Sequence, residues 1–157
     1  MYNMTVADAH TYTVGDGEWV VHNDCNVAIR LVSSKLPKRF GSGKTSGFLL
    51  DSRGNVIGDM ITSGRNRFSF DHTLVRGENR AFQIQDHVEA QVAGIMRENN
   101  ITDAILVLNN HPCSGKPYTC NALLERMLLP GANLRVIVPE GFDARGVFEQ
   151  IYRGIVD

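Results

Sequence analysis

Five consecutive apolar residues, Ala104-Ile105-Leu106-Val107-Leu108, constrain this chain more than any other stretch. A strand that is apolar at every position, not only at alternate ones, keeps both faces away from water and needs cover on both sides. Helical patterns flank it. Upstream, Val88, Val92, Ile95 and Met96 recur at i, i+4, i+7 and i+8 behind Asp86, which predicts a helix capped by Asp86 and ending near Asn99-Asn100. Downstream, Leu123, Leu124, Met127 and Leu128 mark a second helix, opened by Cys120 and stopped by Pro130-Gly131. Leu134–Val138 reads as another strand, and residues 143–153 are expected to be helical. Before the central run, residues 26–35 form a short helix stopped ahead of Pro37, followed by strands over about 47–51 and 55–62 joined by the turn residues Ser52-Arg53-Gly54-Asn55. Residues 63–85 lack a period and read as a long loop, a form that usually binds something. The order strand, strand, helix, strand, helix, strand, helix gives an α/β fold with a sheet between helices.

The chain has 157 residues, 43% of them hydrophobic, enough for a single core. It holds no run of about 18 apolar residues, so no membrane span is expected, and no ordinary signal peptide is visible. Three cysteines are too few for a disulfide-stapled scaffold; two used on a metal with one left over is the simpler accounting. The net charge of −1 is unevenly spread: residues 1–24 carry −4, and residues 35–80 carry +5. A basic face suits a phosphate backbone, although an ordinary solvated surface has the same composition.

The chemistry lies in Asp86-His87-Val88-Glu89, Pro112-Cys113 and Cys120. One imidazole and two thiols can hold a zinc ion while leaving a fourth position for water, and a Glu that is not a ligand can move protons. This is the donor set of the zinc deaminases. His87 and Glu89 fall in the first turn of one helix and Cys120 opens another, where unpaired N–H groups and the helix dipole favour thiolate. Other readings use the same residues. His-x-Glu recurs by chance, the cysteines could be core residues, and a closed structural zinc site would recruit His111, Cys25 or His72 as a fourth ligand. Gly43-Lys44-Thr45 fails as a phosphate-binding loop, because Lys38 stands where its first Gly is needed and no buried strand feeds it.

Two resemblances follow from these residues. YNMTVADAHTYTVGDGEWVVHN, a hairpin pattern closing on His22-Asn23, resembles the last two strands of the Hint (intein-like) domains that precede toxin modules in bacterial polymorphic toxins. It implies that residues 1–24 are a remnant of such a domain and residues 25–157 the toxin domain. Most of a Hint domain is missing, so no self-cleavage is expected. HVEAQVAGIMRENNI, NNHPCSGKPYTC and LLERMLLPGANLRVIVPEG, with the earlier LPKRFGSGKTSGFL and Thr62-Ser63-Gly64, resemble the DddA-like bacterial deaminase toxins over about residues 36–141.

The second resemblance implies a cytidine deaminase-like three-layer α/β/α sandwich with a mixed sheet of about five strands. It also implies zinc-dependent deamination of cytosine to uracil in DNA, with one Zn²⁺ held by His87, Cys113 and Cys120 and Glu89 as the proton shuttle. One departure stands out. The usual Pro-Cys-x-x-Cys is lengthened to six intervening residues, SGKPYT, which leaves His111 as a substitute for Cys113. Candidate substrate contacts are Phe40 for stacking a base, Ser63 and Asn109 for its Watson–Crick edge, Arg65 and Arg67 for phosphate, and Tyr118 near the pocket mouth. The expected partners are single- or double-stranded DNA and a cognate immunity protein, with no membrane, for a monomeric effector module delivered into a target bacterial cytoplasm. The alternatives are the same chemistry on RNA or free cytidine nucleotides, and a non-catalytic zinc-stabilised nucleic-acid-binding module.

Overall fold

The structure, a computed structural model, describes residues 11–14, 19–22, 24–39, 41–69 and 83–156. Strands β1 (Thr11–Val14) and β2 (Trp19–His22) pair with each other, as the hairpin pattern predicts, and neither joins the main sheet. The rest follows as α1 (Asp24–Lys35), β3 (Ser46–Asp51), β4 (Ile61–Thr62), α2 (Val88–Glu98), β5 (Asp103–Leu108), α3 (Cys120–Met127), β6 (Asn133–Val138) and β7 (Phe148–Arg153). The five-stranded sheet has the order β4-β3-β5-β6-β7. Only β5 and β6 are parallel, joined by a crossover through α3; the remaining neighbours are antiparallel.

The apolar run lies at the centre of this sheet, and its two faces meet different helices. Leu106 and Leu108 join Leu49, Leu134, Val136, Val138 and Tyr152 under α2 and α3, where Val92, Met96, Leu124 and Met127 are fully buried. Ile105 and Val107 face the other way with Leu50 and Ile137, covered by Val32 and Leu36 of α1 and its end. Each fully buried Leu or Val side chain contributes roughly 1.5–3 kcal/mol through its removal from water. Helices on both sides of one mixed five-stranded sheet make the three-layer α/β/α sandwich that the sequence predicts.

Three local readings change. Residues 143–153 are not helical: Phe148–Arg153 is a strand antiparallel to β6. Val147, Phe148, Ile151 and Tyr152 mimic helical spacing, but Tyr152 is buried while Ile151 is half exposed and Val147 more so, the alternation of an edge strand. The second strand shrinks to Ile61–Thr62, with Val56 making one isolated bridge to Leu50. Finally, α2 starts at Val88 with His87 in the N-cap position at φ −77° and ψ 152°. Asp86 does not cap it; its carboxylate instead accepts a hydrogen bond from Ser69 Oγ, and its carbonyl accepts one from the Gly64 N–H at 2.8 Å.

Candidate metal centre and catalytic pocket

Two helix N-termini meet at the edge of the α2/α3 layer. His87 precedes the first turn of α2 and Cys120 is the first residue of α3, so both side chains start from fixed backbone. Cys113 arrives on the loop after β5. The six intervening residues fold back on themselves: Gly115 takes φ +87°, the Thr119 hydroxyl donates to the Lys116 carbonyl at 3.0 Å, and the Asn121 N–H donates to the Cys113 carbonyl at 3.1 Å. The Cys120 N–H donates to Cys113 Sγ at 3.1 Å. The lengthened loop thus returns the second cysteine to the first.

The donor atoms converge. His87 Nδ1 lies 3.2 Å from Cys120 Sγ and 3.6 Å from Cys113 Sγ, and all three atoms lie within 4.8 Å of one another. A tetrahedral zinc with Zn–S near 2.3 Å and Zn–N near 2.0–2.1 Å sets its N and S ligands about 3.6 Å apart, so the spacing fits that ion. Among the described residues this group contains three ligands and no fourth. His111 is turned away: its Nε2 donates to the Gly146 carbonyl at 2.9 Å and its ring lies against Phe148, with centroids 5.1 Å apart. Of Cys113 and His111, it is Cys113 whose donor atom lies in the cluster. Cys25 packs on the α1 face of the sheet, where its Sγ donates to the Ser52 carbonyl at 3.2 Å. His72 lies outside the described residues.

The electrostatics point the same way. Hydrogen bonds from Cys120 and His87 pull the Cys113 thiol down to about 4, against the cost of burial. The hydrogen bond to Cys113 raises His87. Cys120 is pushed well up, first by sharing its hydrogen with Cys113 and then by burial. Glu89, 3% exposed, is raised chiefly by burial. Two sulfurs and a carboxylate cannot all be anionic this close together without a compensating charge. A dication held there would supply that charge and let both cysteines act as thiolates.

His87, Glu89 and Cys113 line a pocket of about 390 Å³ together with Arg39, Lys44, Thr45, Ser63, Asn110 and His111. A larger cleft of about 580 Å³ lies over the opposite sheet face beside Cys25, Arg135 and Ile151; it contains none of the clustered donors. Of the expected substrate contacts, Ser63 lines the pocket, with its Oγ accepting the Thr45 N–H at 3.0 Å. Asn109 does not. It is fully buried, its Oδ1 accepting the Ser46 N–H at 2.8 Å and its Nδ2 donating to the Pro37 carbonyl at 2.9 Å. Arg67 pairs with Glu98 at 2.7 Å, at the far end of α2, and stacks over Phe68. Tyr118 packs against the core, and neither it nor Arg65 lines the pocket. Phe40 lies outside the described residues.

The residues that the sequence reading missed are Arg39, Lys44, Thr45 and Asn110. Lys44 and Thr45 belong to the Gly-Lys-Thr triplet rejected as a nucleotide loop, and Asn110 is one position beyond the chosen Asn109. At the end of a strand a one-residue step turns a side chain to the other face.

A family model described as SCP1.201-like deaminase matches residues 24–151. No curated protein matches the chain at a significant level.

Proposed function

The chain belongs to the SCP1.201-like deaminase family, and from that premise we propose that it converts cytosine to uracil in DNA, using one zinc ion held by His87, Cys113 and Cys120. Family membership makes it an enzyme acting on a C–N bond; cytosine, DNA and zinc are the finer reading. The observation that carries this reading is the convergence of one imidazole nitrogen and two sulfurs within 4.8 Å, in a pocket that Glu89 also lines.

Zinc in such a site supplies a Lewis acid that makes water nucleophilic near neutral pH. The chain supplies the rest. Glu89 takes a proton from the attacking water, delivers it to the ring nitrogen N3 as oxygen bonds to C4, and then passes a proton to the exocyclic nitrogen, so that ammonia leaves and uracil remains. Burial suits this role, because a carboxyl raised above its usual range both accepts and returns a proton more readily near neutral pH. The pocket, about 390 Å³, has room for one base with its sugar, and because C4 is out of reach inside a duplex the target base must leave its stack to enter it.

The setting of the reading is a toxin module of a bacterial polymorphic toxin, supported by the similarity of the hairpin closing on His22-Asn23 to the end of a Hint domain. In that setting the module acts as a monomer in the cytoplasm of a target bacterium and is blocked by a dedicated immunity protein. The direct test is incubation of metal-loaded protein with matched single- and double-stranded DNA, followed by uracil excision and strand cleavage. Uracil should appear in DNA and vanish with Glu89→Ala, while metal content persists. Uracil only in RNA or free cytidine would replace the substrate. Binding without turnover, equal in wild type and Glu89→Ala, would make the protein a zinc-stabilised binding module. Growth arrest on expression that survives Glu89→Ala would separate the toxin role from deamination.

A further inference from the structure

We propose that Arg39 and Lys44 form a phosphate subsite on the solvent side of the pocket, so that the substrate unit is a nucleotide carrying its phosphate and not a free nucleoside. The proposal rests on the deaminase reading for the base and extends it to the backbone.

Glu89 and the metal-ligand cluster fix where C4 must lie. In a pyrimidine, N1 stands across the ring from C4, so a base presenting C4 to Glu89 directs its sugar and phosphate away from it. Glu89 is buried, whereas Lys44 is exposed and Arg39 half-buried on the same pocket. The two cations therefore sit on the side from which the backbone leaves.

Among the described residues neither cation is held in an ion pair. Arg39 Nε donates to the Gly43 carbonyl at 2.6 Å and Nη1 to Asn110 Oδ1 at 3.2 Å, both neutral oxygens. These bonds orient the guanidinium while leaving its full charge and remaining donors for a ligand. Asn110 is itself fixed, its Nδ2 donating to Thr45 Oγ1 at 3.2 Å. Among the described residues the ion pairs are Arg67–Glu98, Arg135–Glu149 and Arg145–Asp143, and neither pocket cation takes part. Arg145 shows the contrast: it reaches the same Asn110 Oδ1, yet it is neutralised by Asp143 at 2.6 Å. An oriented guanidinium and an exposed ammonium lining one nucleobase pocket, neither in an ion pair among the described residues, are suited to an anion, and phosphate is the anion attached to a nucleobase.

The test uses metal-loaded protein and two readouts. Binding of a labelled single-stranded oligonucleotide to the Glu89→Ala protein is followed across salt, with deoxycytidine and its 5′-monophosphate as competitors. Turnover is followed in proteins that retain Glu89. Lys44→Gln and Arg39→Gln should each weaken oligonucleotide binding about tenfold and lower the salt slope by about 0.7. They should raise KM for phosphate-bearing substrates by a larger factor than KM for deoxycytidine. Arg135→Gln, on the opposite sheet face, should change nothing. Competition by the monophosphate but not by deoxycytidine assigns the subsite to one nucleotide's own phosphate; competition by neither assigns it to the phosphodiester of a chain. The proposal is overturned if Lys44→Gln, which removes no hydrogen bond among the described residues, leaves the salt slope unchanged, or if both variants raise KM for deoxycytidine and for its 5′-monophosphate by the same factor. If wild type deaminates nothing, the function proposed above fails, and the binding arm still decides the phosphate subsite.

Discussion

Glu89 sits in the first turn of α2 with its carboxyl removed from water, and burial raises its pKa above the usual carboxylate range. For an acid raised in the folded state, the unfolded chain ionises first. Burial of this group therefore costs no stability below its unfolded pKa and progressively more above it. In metal-free protein, Glu89→Gln should thus raise stability at pH 7 and not at pH 4, read by denaturant titration at both values. In metal-loaded protein the same substitution should cut kcat by about 10²–10⁴-fold, the usual contribution of a positioned proton shuttle. At the ligands, Cys113→Ala should abolish stoichiometric metal binding. His111→Ala should keep the metal and lose about 1 kcal/mol of stability with the bond to the Gly146 carbonyl. Elemental analysis beside thermal melts separates the two. Metal loss in His111→Ala with retention in Cys113→Ala would reverse the assignment.

At the scale of elements, the site depends on how α2 is held. Asn66 caps a turn through the Phe68 N–H at 2.8 Å, and Phe68 lies so close to Gly94 that a Cβ there would stand 2.5 Å from its ring. This contact braces the middle of α2, while Ser69 and the Gly64 N–H hold Asp86, beside His87. Helix propensity favours Gly94→Ala by about 1 kcal/mol, but the ring is buried and cannot move freely, so overpacking should win. The expected net loss is about 1–2 kcal/mol, recovered in the double variant Gly94→Ala with Phe68→Leu. A stabilised single variant would show that the ring yields. The strand β7 teaches a different lesson: its apolar spacing fits a helix as well as a strand, and only pairing with β6 along its whole length decides. Replacing half-exposed Ile151 by Thr should be nearly neutral, whereas Tyr152→Ala should cost about 3–5 kcal/mol, since Tyr152 is fully buried and its hydroxyl donates to Asn121 Oδ1 at 2.7 Å. Equal costs would contradict the alternation.

At the scale of the molecule, the metal would tie the N-terminus of α2 to that of α3 and to the loop from the central strand. Removing it with a chelator should lower Tm by roughly 5–15 °C, because a ligand bound only to the folded state stabilises in proportion to its occupancy. Deleting residues 1–23 should shift Tm by less than about 2 °C and leave activity intact, since β1 and β2 pair only with each other. A large loss on deletion would mean that the hairpin is part of the working domain.

Periodicity and residue chemistry determined much on their own. The apolar run at 104–108 required cover on both faces, the His and two cysteines marked a group that could hold a metal, and Pro130-Gly131 stands just beyond the end of α3. These are properties of short windows, where spacing alone sets which face a side chain takes. Tertiary structure decided what no window contains: that β7 is a strand, that Cys113 and not His111 lies in the cluster, and that Asn110 and the Gly-Lys-Thr loop line the pocket while Asn109 is bound into the sheet. Each of these depends on a partner far away in sequence, and which partner arrives is fixed only when the layers pack.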